Sequence, residues 1–240
     1  MRLKAVKTPV FKEGENLFGF LKKNLPLKLP EKSIVVVTSK IVALSQRRVV
    51  NPDEANWDEL IEKESNWAIP TKHCYLTLKE GVITPNAGID KSNAAGQWIL
   101  WPKNSWQVVA ILRRQLARHY RVKNLGLLIT DSRTIPLRAG VVGMALAYAG
   151  FKGLRDYRGR KDIFGYVLKI SRTDVADSLA TAAVLLMGEA AEQTPLALIT
   201  GAPVEFSKRE DKKELHINPA DDLYRPLFES LAIKKAKTPV

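Results

Sequence analysis

Two short runs, Ser33-Ile-Val-Val-Val-Thr38 and Leu125-Gly-Leu-Leu-Ile-Thr130, contain no charged residue and almost no polar one. Runs of this length, rich in β-branched and aliphatic residues, are the mark of buried strands. Leu196-Ala-Leu-Ile-Thr200 reads as a further strand. Helical spacing appears elsewhere. Residues 15–25 set Leu17, Phe18, Phe20 and Leu21 inward and Lys22 and Lys23 outward, until Leu25-Pro26 and Leu29-Pro30 break the pattern. Residues 56–67 form an acidic amphipathic helix. Residues 105–120 carry a stripe of Val108, Val109, Leu112 and Leu116 behind Ser105 as a cap. An Ala/Leu helix over 174–187 stops at Gly188, and a closing helix is expected over 221–231.

The remaining segments fall between these. The chain opens with a strand leading through Val10 and Phe11 to a turn at Gly14. Residues 75–79 and 82–85 make a hairpin around Glu80-Gly81. Residues 140–151 are a small-residue segment, 166–171 a strand and 208–214 a charged loop. Strands and helices mix without strict alternation, which predicts an α+β fold with mixed sheets.

A hydrophobic content of 45% and a charged content of 26% exclude collagen-like, disordered and disulfide-scaffold classes. The single cysteine, Cys74, can form neither an internal disulfide nor a cysteine-based zinc site. No apolar run nears the roughly 18 residues that span a bilayer. The N-terminus lacks the apolar core of a secretory signal. The expectation is a soluble, cytoplasmic protein with no membrane partner.

The net charge of +13 is local: residues 102–172 hold 15 basic and 3 acidic side chains. Such a field attracts a phosphorylated substrate, a nucleotide or nucleic acid. A solvated helix face on a basic surface explains it equally well. Zinc-finger spacing, RNP-like aromatics and a helix-turn-helix pattern are missing, so nucleic acid is the lesser reading. A silent polyanion-binding protein is the alternative to an enzyme.

No Walker loop and no G-x-G-x-x-G occurs, and His73, His119 and His216 lie far apart. Carboxylates at the ends of apolar segments are the better lead. Asp131 follows the 125–130 strand, Asp90 sits in a loop after another strand, and Glu189 follows the glycine that ends a helix. Together they would form a hard-oxygen site for Mg²⁺ or Mn²⁺ holding phosphates; turn chemistry explains each separately. Asp174 and Asp177, in the first turn of a helix, are accounted for by the helix dipole. Arg158, Arg160 and Lys161 around Gly159 form either a phosphate-gripping loop or a surface turn.

Five segments occur in order: N-A-G-I-D-K-S-N (86–93), I-T-D-S (129–132), R-A-G-V-V-G-M-A (138–145), G-R-K-D-I-F-G (159–165) and L-M-G-E (186–189). Together they resemble the coenzyme F420:L-glutamate ligase family, also called F420-0:gamma-glutamyl ligases, over roughly residues 8–201. The resemblance implies a catalytic region over 1–201 with two subdomains, followed by a charged loop and C-terminal helix over 202–240. It implies a two-domain α+β fold, an intertwined homodimer, and GTP-dependent ligation of L-glutamate to a phosphate-bearing deazaflavin.

By the same resemblance, Asp90, Asp131, Ser132 and Glu189 match metal-ligand positions. Thr8, Pro9, Val10, Phe11, Ser39, Lys40 and Asn93 match nucleotide contacts. So does the stretch Met187, Gly188, Glu189, Ala190, Ala191, Glu192, Gln193 and Thr194. Three departures stand out. Ala43-Leu44 replaces a Ser-Lys pair, S-R-T-I-P-L-R replaces a loop with a Gly-Arg pair after Asp131, and A-A-E-Q-T follows M-G-E where the family is richer in glycine. These touch the acceptor and nucleotide positions more than the metal positions, and a related ligase with another acceptor is the alternative within the family.

Overall fold

The computed structural model describes residues 1–209 and 211–226. In chain order the elements are β1 (Arg2–Val6), α1 (Leu17–Asn24), β2 (Ser33–Thr38), α2 (Ser39–Ser45), β3 (Val49–Val50), α3 (Trp57–Glu64), β4 (Trp67–Pro70), β5 (Tyr75–Lys79) and β6 (Val82–Pro85). Then come β7 (Trp98–Ile99), α4 (Ser105–Tyr120), β8 (Leu125–Thr134), β9 (Val141–Ala149), β10 (Leu154–Asp156), β11 (Arg172–Asp174), α5 (Val175–Met187) and β12 (Leu196–Thr200). The class is α+β with mixed sheets, as the segment order predicts. The chain divides into two compact units, one of Met1–Gln46 with Pro102–Leu215 and one of Arg47–Trp101 with the residues from His216 on.

The first unit is built on a five-stranded sheet in the order β1-β12-β2-β8-β9. Only β2 and β8 pair in parallel; β1–β12, β12–β2 and β8–β9 are antiparallel. Alternate residues of a strand face opposite sides of its sheet. Val35, Val37, Leu125, Leu127 and Ile129 pack with Phe20 and Leu21 of α1 and Val109, Leu112 and Leu116 of α4. Ile34, Val36, Leu128, Ala197 and Ile199 pack with Ala176, Leu179, Ala180 and Ala183 of α5. Both faces of β2 and β8 are therefore covered, which is why their sequences are continuous apolar runs rather than alternating ones.

The small-residue segment is strand β9, and its small residues serve packing inside this unit. A Cβ on Gly143 would lie 2.3 Å from the Ala180 carbonyl oxygen, so only glycine lets α5 approach β9 this closely. The Thr181 hydroxyl donates to the Gly143 carbonyl at 2.9 Å. Between Ile129 and Thr130 the β8–β9 register slips by one residue, a bulge that leaves Leu146 without a cross-strand partner.

Two local expectations are corrected. Ser105 does not cap α4: the capping position is Asn104, in the left-handed region at φ 53°, and the Ser105 hydroxyl instead donates to the Pro102 carbonyl. The strand expected over 166–171 is absent; only Val167 makes an isolated bridge, to Lys161. Gly159 and Gly165 have φ of 81° and 89°, and the Asp162 carboxylate accepts from the Phe164 and Tyr166 amides. These residues form a turn that points Ile163, Phe164, Tyr166 and Ile170 into solvent, each at least 72% exposed. The paired strands of this hairpin are the polar β10 and β11.

The second unit has a β4-β5-β6 sheet and the short β3–β7 pair. Its core gathers Ile61, Ala87, Ile89 and Leu100. The expected hairpin is present, with Glu80 and Gly81 both at positive φ, as a two-residue turn of this twist requires. The acidic helix is α3, capped by the Asn56 side chain, which accepts from the Asp58 and Glu59 amides. Glu64 at its end bridges Arg48 and Lys79, each at 2.7 Å. Burial works to raise the Glu64 carboxyl, but the two cations outweigh it and hold the group below its usual range.

Of the helix expected over 221–231, residues 225 and 226 are helical, after a 3-10 turn at Pro219–Asp221; residues 227–231 lie outside the described residues. Among the described residues no helix is long and apolar enough to cross a membrane.

Candidate active site

Four of the sequence-marked segments meet at one end of the five-stranded sheet, all within the first unit. Its register explains why. Val6 pairs with Leu196, Leu196 with Val37, and Thr38 with Thr130. The exits of β1 and β2, the entry to β12 and the bulged middle of β8 therefore lie side by side, about 4.8 Å from strand to strand. The parallel pairing of β2 with β8 ends at this same edge, while β8 runs on through Asp131 to Thr134 against β9.

Beyond β1, the Thr8 amide donates to the Gln193 carbonyl at 3.0 Å, and the Thr8 hydroxyl to the Pro9 carbonyl at 2.8 Å. Val10 is exposed, whereas Phe11 is buried edge-on against Phe20. Phe11 thus anchors the segment in the core and presents its neighbours at the surface. Beyond β2, the Thr38 amide donates to the Pro195 carbonyl at 3.0 Å, and the chain passes directly into α2 through Ser39 and Lys40. Ala43 is fully buried and Leu44 packs against the main core. Leu44 lies one turn beyond Lys40 on the same helix face. The departure at 43–44 is thus a packing choice: apolar side chains close onto the core where a longer cationic side chain would reach outward.

The loop from α5 to β12 is held by its own side chains. Gly188 ends α5 at φ 77°. A Cβ there would meet the Glu192 carboxyl at 2.3 Å. Glu192 accepts from the Ala190 amide at 2.8 Å, and the Thr194 hydroxyl donates to the Met187 carbonyl. Gln193 sits in the left-handed region at φ 55°. Although poorer in glycine than the family pattern, the loop folds tightly.

On β8, Asp131 accepts from the Ser132 amide at 2.9 Å, and the Ser132 hydroxyl lies 3.4 Å from Glu189 Oε2. The Ser132 hydroxyl and Glu189 are thus brought together from positions 57 residues apart, with Asp131 next to Ser132 in the chain. Two carboxylates and a hydroxyl are hard oxygen donors, the set that Mg²⁺ and Mn²⁺ prefer.

Asp90 belongs to the second unit. There it bridges Ile99 through both backbone groups, at 2.8 and 2.9 Å, and accepts from the Ser92 amide at 2.6 Å. The turn reading of Asp90 is therefore realised. Asn93 follows in the same unit at φ 51°. Lys91 lies 3.5 Å from the centroid of the Trp57 ring. Among the described residues no group of three or more His, Cys, Asp or Glu side chains is gathered closely enough to hold a metal ion.

A second charged group sits on the β9 side of the same strand end. Arg133 Nη2 is 2.8 Å from Asp177 Oδ2, and Asp177 Oδ1 accepts from the Ala145 amide at 2.9 Å, just beyond the bulge. Asp174 caps α5 by accepting from the Asp177 amide at 2.9 Å. Burial, and then the Asp177 charge, push the Asp174 carboxyl up to about 6. The helix dipole alone does not account for this pair. The sequence carries no sign of Asp177's second role, because its partners lie 44 and 32 residues away and meet it only through the fold.

A family profile described as F420-0:Gamma-glutamyl ligase matches residues 55–201. The chain belongs to the F420-0:gamma-glutamyl ligase family. Among its relatives is the coenzyme F420:L-glutamate ligase of Methanococcus maripaludis strain C7, 31% identical over 83% of this chain and 87% of the relative. The enzyme of the same name from Methanopyrus kandleri is 35% identical over 69% of this chain and 67% of its own. That of Methanocaldococcus jannaschii is 34% identical over 75% and 65%. The protein is accordingly an amide-forming ligase.

Proposed function

We propose that this ligase adds L-glutamate to a phosphate-bearing acceptor of the coenzyme F420-0 kind, consuming GTP and requiring Mg²⁺ or Mn²⁺. The relatives named for this reaction support the choice of substrates. The observation that carries the reading is the gathering of 8–11, 39–40, 131–132 and 187–194 at one sheet edge. These segments come from four separate parts of the chain, and a purely structural sheet has no need to collect them.

A free carboxylate does not condense with an amine in water, because the oxygen it must lose is a poor leaving group. In the proposed reaction the acceptor carboxylate attacks the γ-phosphorus of GTP, and GDP departs, leaving an acyl phosphate. The glutamate amine then attacks the acyl carbon; inorganic phosphate leaves with the electron pair, and the nitrogen loses its proton. Thr8, Pro9, Val10, Phe11, Ser39, Lys40 and the 187–194 loop of the first unit would hold the nucleotide. Asp131, Ser132 and Glu189 of the first unit would hold the divalent cation. Such an ion, when bound, neutralises charge on the phosphates. The basic stretch 102–172 would draw in the phosphate of the acceptor. A homodimer and a cytoplasmic location complete the reading, the latter in keeping with a single, half-buried Cys74.

The test is a coupled assay with GTP, L-glutamate, Mg²⁺ or Mn²⁺ and a phosphate-bearing deazaflavin acid. Phosphate release should need all four and match amide formed mole for mole. Asp131→Asn keeps the side-chain shape and removes its charge. It should weaken metal-dependent GTP binding by more than about tenfold, roughly 1.4 kcal/mol, at unchanged melting temperature. Phosphate release without glutamate-dependent amide, or Asp131→Asn binding GTP like the wild type, contradicts the reading.

A further inference from the structure

The Arg133–Asp177 pair has no part in the scheme above. Arg133 lies two residues beyond Asp131 on β8. Asp177 holds one end of the guanidinium through Nη2 and is itself fixed by the Ala145 amide. A second donor, Nε of Arg133, is buried and donates to no described residue. A buried donor without an acceptor costs about 1–3 kcal/mol, so a side chain kept in that state inside an active site points to a partner that arrives with substrate. Guanidinium presents its N–H groups as a planar fork that matches the two oxygens of a carboxylate.

The strand order narrows what that partner is. The nucleotide segments of the first unit flank β1, β12 and β2, whereas Arg133 lies on β8 beyond Asp131 and Ser132, and its anchor Asp177 is fixed to β9 through the Ala145 amide. The reaction brings in carboxylates besides the phosphates: the acceptor's own acid and those of the amino acid.

Resting on the ligase reading, we propose that Arg133, oriented by Asp177, binds a carboxylate of the two substrates that are joined, and not the nucleotide. Asp177 acts as a positioning residue, setting the guanidinium plane without touching substrate.

The test compares the full-length wild type with Arg133→Met, Arg133→Lys and Asp177→Asn. Four quantities are measured: KM for L-glutamate, KM for the acceptor, GTP affinity by direct titration, and melting temperature. In Arg133→Met, KM for one of the carboxylate substrates should rise roughly tenfold or more, the loss expected for a charge-assisted fork. GTP affinity should change by less than about twofold. Arg133→Lys, which keeps the charge and the fold but not the fork, should recover only part of kcat/KM. Asp177→Asn should raise the same KM by a smaller factor. Unchanged KM values in both Arg133 variants, or GTP affinity falling in step with them, overturn the proposal. A wild type that binds GTP but forms no amide defeats the ligase reading itself, and the proposal falls with it.

Discussion

At the scale of single residues, the carboxylates of this protein divide by what they face. Asp131 accepts from the Ser132 amide and Glu189 lies beside the Ser132 hydroxyl, whereas Asp174 is half-buried beside Asp177 and is pushed up to about 6. Its ordinary value is 3.8, so the folded protein holds the Asp174 proton more tightly than the unfolded chain does. Well below pH 3.8 both states are protonated and the group costs nothing. As pH rises from about 4 to about 6 the unfolded chain ionises first, stability falls, and the deficit persists above that window. Asp174→Asn keeps a side-chain oxygen for the cap and removes the charge. With solvent screening, the variant should be about 1 kcal/mol more stable than the wild type near pH 7 and equal to it at about pH 3, measured by urea unfolding. The same difference at both pH values would contradict this.

At the scale of elements, legibility followed burial. β2, the apolar part of β8 and β12 could be read because both faces are covered and nothing polar interrupts them. α4 and α5 could be read because one face of each is apolar. β10 and β11 could not: three residues each, mostly polar, they pair only with one another. The apolar residues of 166–171 read as a strand, yet beyond the Asp162 turn Tyr166, Val167 and Ile170 face solvent. β9 was seen as small residues without its strand character, since Gly143 and its alanines answer to the approach of α5 rather than to strand propensity. Gly143→Ala tests that account. Glycine to alanine at an ordinary φ stabilises by reducing the freedom of the unfolded chain. Here the new Cβ meets backbone, so α5 must move, and a net loss of about 1–3 kcal/mol is expected in denaturant unfolding. A variant as stable as the wild type would show that the β9–α5 contact yields freely.

At the scale of the whole molecule, the site was legible as residue types but not as an assembly. Asp131 and Glu189 stand out at the ends of apolar segments, and the fold sets Glu189 beside Ser132, the residue after Asp131. Asp90 stood out in the same way and belongs to the other unit, where its backbone and side chain complete a bridge and a turn. Arg133 and Asp177 did not stand out, because a strand position and a helix first turn each have a local explanation. The small residues of β9 and α5 pack against one another within one chain, so the homodimer of our reading rests on the family resemblance. A monomer in light scattering at micromolar concentration would remove it. The central claim is that a carboxylate is activated by phosphoryl transfer before the amine attacks, and it can be followed with a heavy-oxygen label placed in the acceptor carboxylate. If an acyl phosphate forms, each turnover carries one labelled oxygen into the inorganic phosphate released. Amide formed with every label left in the acceptor or in water, and none in phosphate, would contradict the account.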